Sequence, residues 1–82
     1  MEKLDGNAAG GILQAIFPFE MTSVVGVCAG CGTRAVLATV AVYKTGIGTV
    51  LRCPSCDHVL MRVAEIEGHH MLDMRGLSVL RL

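Results

Sequence analysis

The sequence predicts a small, mainly antiparallel β domain of the α+β class, with one N-terminal helix packed across the sheet. Its 82 residues allow one domain and one core, which is marginal at this length without a staple. After Pro18 the chain turns to short segments rich in Val, Thr and Ala, separated by glycine-containing turns, which read as strands. Four cysteines in two C-x2-C pairs supply the staple. No repeat, low-complexity run or linker divides the chain, so we read 1–82 as a single domain. Its parts are a helix over 5–17, a central core over 23–67 and a C-terminal strand or tail over 69–82.

The helix rests on Ala9, Ile12, Leu13 and Ile16, whose i, i+3, i+4, i+7 spacing lays them on one stripe. Asp5 can accept from the free N–H groups of the first turn, and Pro18 ends the helix because it lacks an N–H and restricts Phe17. Gly6, Gly10 and Gly11 each weaken the segment by about 1 kcal/mol relative to Ala, so it needs tertiary packing. Strands follow over Thr22–Val27 and Arg34–Tyr43. Thr45-Gly46-Ile47-Gly48 then turns the Ala35–Lys44 segment back onto Thr49–Arg52 as a hairpin. His58–Glu67 is the next strand. Beyond the Glu67-Gly68-His69 turn, residues 70–75 alternate: His70, Leu72 and Met74 face one way, and Met71, Asp73 and Arg75 the other, as in a half-buried strand. The tail Gly76–Leu82 is too apolar for a solvated end and is expected to add a strand or pack on the core or a second subunit.

Chemistry concentrates at Cys28-Ala29-Gly30-Cys31-Gly32 and Cys53-Pro54-Ser55-Cys56-Asp57. Each C-x2-C holds two sulfurs on one tight turn whose N–H groups point back at them, and two such turns complete a tetrahedral S4 shell. The 21 residues between Cys31 and Cys53 leave room for the intervening hairpin. Gly32 suits a positive φ. Asp57 occupies the equivalent place in the second turn, so it must tolerate the left-handed region or the two turns must differ. Cys28, Cys31, Cys53 and Cys56 are therefore the candidate metal ligands. The ion expected is one structural Zn2+; the same ligands also suit Fe, but the chain is poor in the aromatics that pack around such iron sites, so iron is less favoured. Four thiolates close the shell, which argues against a catalytic metal and against an enzyme.

The segment from Val27 to roughly Arg62 resembles a zinc ribbon, in which two such turns at the ends of β-hairpins clamp one Zn2+. That resemblance implies a ribbon-like antiparallel sheet and a structural zinc site made by all four cysteines. The whole chain, with its Leu4-Asp5-Gly6-Asn7 opening and its Arg75-Gly76-Leu77-Ser78-Val79-Leu80 ending, looks like a group of short uncharacterised bacterial proteins with this ribbon in the middle. The likeness implies a fold and no activity.

His58, two residues after Cys56, reads as a strand residue able to hydrogen bond a sulfur or, less readily, to replace a ligand. If a strand starts at the turn, His69 and His70 point to opposite faces and cannot both bind one ion without a partner elsewhere, so they read as a surface pair, with a second metal site or a pH-sensitive contact as the alternative. Arg34, Arg52 and Arg62 fall near the turns, where they can neutralise the net charge of a zinc tetrathiolate. Seven basic residues match seven acidic ones, so a nucleic-acid partner is possible and not favoured. No charge-free apolar stretch reaches the roughly 18 to 20 residues of a spanning helix, and the opening lacks a secretory pattern. A cytoplasmic setting is expected, with reduced thiols. With 52% apolar residues and so small a core, self-association as a dimer, or binding to another protein, is the expected outlet. No small-molecule substrate is suggested. The function expected is a non-catalytic scaffold or protein-interaction module, with a nucleic-acid-binding ribbon and a rubredoxin-like electron carrier as alternatives.

Overall fold

A computed structural model of the chain describes residues 2–5, 9–18, 20–46 and 48–82. Among the described residues, eight strands and one α-helix run in the order β1 (Glu2–Asp5), α1 (Gly10–Ile16), β2 (Val25–Cys28), β3 (Arg34–Val36), β4 (Ala41–Lys44), β5 (Gly48–Arg52), β6 (Val59–Ile66), β7 (His69–Asp73) and β8 (Leu77–Arg81). They form two antiparallel sheets, one of five strands ordered β1-β4-β5-β6-β7 and one of three ordered β3-β2-β8. The mainly antiparallel α+β class is as the sequence predicts. The division into two sheets is not.

The division happens inside Arg34–Tyr43, which the sequence presents as one strand. Leu37–Thr39 instead forms a single 3-10 turn that carries the chain from β3 in the small sheet to β4 in the large one. Leu37, Val40, Ala41 and Val42 are all buried, so four apolar side chains within six residues need cover, and a strand's two-residue alternation cannot bury them on one face. The turn is tied down by the Leu37 N–H donating to Val24 O at 2.9 Å and by the Thr39 hydroxyl donating to Val36 O at 2.7 Å.

The N-terminus also differs. Asp5 lies in β1 opposite Ala41, and α1 begins only at Gly10, behind Ala9, with no capping side chain. Residues 6–8 of the expected helix lie outside the described residues. The helix stops at Phe17, which Pro18 holds extended at φ −107 and ψ 143, as expected. The expected strand Thr22–Val27 is shortened, because Met21–Ser23 forms a 3-10 turn in which the Glu20 carboxylate accepts from the Thr22 N–H. The tail becomes β8, paired with β2.

The core gathers Leu13 from α1, Met21, Val24, Leu37 and Val40 from the turns, and Val42, Leu51, Leu60, Met61 and Val63 from the large sheet, with Cys28 and Cys53 at one end. The β4/β5 hairpin is closed by the Thr45 N–H donating to Gly48 O at 2.8 Å. Glu67 and Gly68 both have positive φ, 52° and 78°, the turn that matches the strand twist between β6 and β7. The expected burial of that last strand is not found: His69, His70, Met71 and Leu72 are exposed, because nothing described packs over β7.

Gly76 joins the two sheets. Its carbonyl accepts from the Ala29 N–H at 2.8 Å, and a Cβ at this position would fall on the Val59 carbonyl at the start of β6. We expect Gly76→Ala to destabilise the fold by at least about 2 kcal/mol, because the obstruction is the backbone of Val59 and Leu60, which cannot move aside like a side chain. Gly11→Ala should do the opposite, gaining up to about 1 kcal/mol, since nothing lies within 4 Å of the added methyl. Thermal melts of the two variants should move in opposite directions.

Candidate metal centre

The first C-x2-C turn connects β2 to β3 in the small sheet, and the second connects β5 to β6 in the large one. The two turns repeat one backbone design. In each, the N–H of the first cysteine donates to a carbonyl five residues on: Cys28 to Thr33 O at 3.0 Å and Cys53 to His58 O at 2.8 Å. Its carbonyl accepts from the residue four ahead, Gly32 and Asp57 respectively, both at 2.9 Å. Its sulfur accepts from the N–H two ahead, Gly30 at 3.3 Å and Ser55 at 3.4 Å. Gly32 and Asp57 both sit in the left-handed region, at φ 75° and 63°, so Asp57 adopts the glycine conformation rather than changing the turn.

Facing each other, the turns bring Cys28, Cys31, Cys53 and Cys56 together with every Sγ within 4.8 Å of the others. Two pairs meet across the gap between the turns, Cys28 with Cys56 at 3.7 Å and Cys31 with Cys53 at 3.6 Å. Four sulfurs placed about 2.3 Å from one tetrahedral ion stand about 3.8 Å apart, so this set fits a single metal ion. All four cysteines are free of disulfides. Cys28 and Cys53 are buried against the core, while Cys31 and Cys56 face solvent.

The thiols conflict electrostatically. Hydrogen bonding with the Thr33 side chain, whose Oγ1 lies 3.1 Å from the sulfur, then with the Thr33 backbone, lowers Cys31 to about 6. For Cys56 the His58 backbone N–H also acts to lower the value, but desolvation and the neighbouring cysteines push it up to about 12. Four thiolates this close repel one another, so the last one ionises only with great difficulty. A cation at the centre removes that conflict, which is the chemistry the arrangement is suited to.

Among the other candidates, His58 does not join the thiol set. Its ring lies over Gly30 of the opposite turn, where an added Cβ would be 3.2 Å from the imidazole Cγ, so that position needs a glycine for close approach. His70 lies 3.4 Å from the Glu65 carboxylate directly opposite on β6, and His69 faces Ile66. Of the three arginines, Arg52 alone is seen to reach a cysteine turn, donating to Asp57 O at 3.0 Å with its guanidinium 5.9 Å from the Tyr43 ring centre. Arg62 turns instead to Asp73 at 2.9 Å, and Arg34 is exposed on β3. Arg75 first, then Arg62, holds the Asp73 carboxyl well below the usual carboxylate range. Sequence reasoning overlooked Thr33 and Gly76. Thr33 carried a usable signal, a hydroxyl two residues after a ligand, whereas Gly76 acts through neighbours distant in sequence.

No helix among the described residues is long and apolar enough to cross a membrane. A family model described as "Family of unknown function (DUF6510)" matches residues 1–82. No curated protein and no solved structure matches the chain.

Because an ion held here displaces protons from the thiols, its affinity should fall as pH falls. Thr33→Val removes the hydroxyl that favours the Cys31 thiolate, so protons compete better and metal should leave at a higher pH. One hydrogen bond worth about 1 kcal/mol, spread over four released protons, moves the midpoint of acid release upward by about 0.2 pH unit. A metal-indicator titration from neutral to acid pH, run on both proteins, measures the shift.

Proposed function

The chain belongs to the DUF6510 family, and because that family's description assigns no function, we propose from the site itself that the protein is a zinc ribbon with a structural four-cysteine centre, acting as a non-catalytic scaffold or interaction module. The observation that carries this reading is the meeting of two matched cysteine turns from separate sheets, with sulfur separations of 3.6 and 3.7 Å across the gap. Cys28, Cys31, Cys53 and Cys56 would each give one thiolate. When bound, Zn2+ supplies charge neutralisation and a strong coordinate link between the turns. With all four positions of a tetrahedral ion taken by sulfur, no place remains for water or substrate, which supports a structural role.

Backbone N–H donors from Gly30 and Ser55 orient the sulfurs, and Arg52 adds positive charge beside the second turn. Four thiolates and one dication change the formal charge of the folded chain from zero to about −2, which makes a polyanionic partner less favourable than a protein one. Structural zinc binds such sites with about 10 to 16 kcal/mol, as large as the whole stability of a domain.

The purified protein should contain one zinc per chain by elemental analysis and be colourless. Cys53→Ser should lose most of that zinc together with cooperative melting, as should treatment of the native protein with a strong chelator. Full metal content with an unchanged melt in Cys53→Ser would overturn the assignment, and a red, iron-loaded protein with a reversible redox wave would replace it with electron transfer.

A further inference from the structure

We infer that the outer edge of β7 is a homodimerisation edge, where two copies pair antiparallel about Met71. β7 closes the large sheet, with β6 its one hydrogen-bonded neighbour among the described residues. Its five pairs with β6 run from Arg62 opposite Asp73 to Ile66 opposite His69 with no bulge, so the edge offers an uninterrupted ladder. Neither proline nor lysine, the usual blunting residues, occurs in this segment. Met71 and Leu72 are 56% and 39% exposed, and Ile66 on the neighbouring strand is 55% exposed.

The turn fixes which backbone groups are free. Glu67 and Gly68 form a two-residue hairpin turn, so Ile66 and His69 exchange hydrogen bonds, and every second pair does the same. His69, Met71 and Asp73 therefore spend their N–H and C=O groups on β6. Those of His70 and Leu72 point away from it, towards the open edge.

A two-fold axis at Met71 uses these groups fully. His70 of one copy pairs with Leu72 of the other, twice over, forming four backbone hydrogen bonds. Met71 stands beside its own counterpart in a closely spaced pair, and each His69 imidazole faces an Asp73 carboxylate across the junction. The apolar side chain that solvent now meets is covered, and no like charges stand directly opposite one another; Asp73, across from His69, is already held by Arg62 and Arg75.

The same construction on β8 fails. Centred on Val79 it sets Arg81 opposite Leu77, and β8's pairing with β2 carries a register shift at Val27/Cys28. At Met71 the copies also align their outer faces, where Gly48, Val50 and Ala64 form an open apolar depression of about 500 Å³ walled by Met71. Edge pairing alone buries less than the roughly 1,200 Å² of a stable interface, so the dimer is reversible and dependent on concentration. It does not depend on which metal the cysteines hold.

Analytical ultracentrifugation of the metal-loaded protein from about 10 to about 500 µM should show a monomer–dimer equilibrium. Met71→Lys, at an exposed position, should weaken association at least about tenfold while metal content and melting stay unchanged. Oxidation should cross-link Met71→Cys between copies, because facing residues of a closely spaced pair lie about 4.5 Å apart at Cα, within disulfide range. Val79→Cys, equally exposed on β8, should remain uncross-linked. A protein that stays monomeric throughout, a dimer indifferent to Met71→Lys, or cross-linking of Val79→Cys without Met71→Cys would overturn the proposal. If Met71→Lys fails to fold, the cross-linking pair decides.

Discussion

The meeting of four sulfurs is the constraint around which this fold is arranged. The strands of the two sheets are not paired with one another, so their relative placement depends on buried side chains, the Leu37–Val40 crossing, the close backbone contacts of Gly76 and the cysteine cluster. Each sheet contributes one cysteine turn. Without a cation, the cluster sets thiols that resist common ionisation against one another at 3.6 and 3.7 Å, at the end of a core too small to impose that arrangement alone. A cation shared by the four sulfurs would turn the same proximity into a bond between the two turns. Secondary structure and site are thus not separable here, as they are in a large enzyme whose scaffold stands before its metal binds.

The two turns show how much of that link is local. Their shared hydrogen-bond design is encoded within six residues each, from Cys28 to Thr33 and from Cys53 to His58, so the spacing of the cysteines sufficed to identify the candidate ligands. Even the mismatch between Gly32 and Asp57 resolves locally, since an aspartate can occupy the left-handed region at a modest cost. The hairpin turns at 45–48 and 67–68 and the helix stop at Pro18 were legible for the same reason: each depends on the chemistry of adjacent residues.

What the sequence hid was set by distant partners. Arg34–Tyr43 contains no glycine or proline to mark a break, and only the demand of two different sheets for cover at Leu37, Val40 and Val42 divides it. Asp5 has the right chemistry for a helix cap, but pairing with β4 makes it a strand residue. Local propensity describes what a segment can do, and pairing with residues some forty positions away decided otherwise. Gly76 belongs to the same class, because its value comes from Ala29 on one side and Val59 on the other.

The small core also explains where the apolar excess goes. With 52% apolar residues, the chain fills one continuous cluster from Ala9 to Val63, yet Ile66, Met71, Leu72, Val79 and Leu82 remain exposed. Three of these lie on the β6/β7 end of the large sheet, away from the cysteine turns that join β2 to β3 and β5 to β6. The four sulfurs gather at the end where the cysteine turns of the two sheets meet, and the far end of the β6/β7 hairpin is left uncovered. The open hydrogen-bonding edge of β7 lies there, on the other side of the β6/β7 hairpin from the cysteine turns. Side chains on β7 and sulfurs on the turns share no hydrogen bond among the described residues, so substitutions on that strand should leave the cysteine cluster in place.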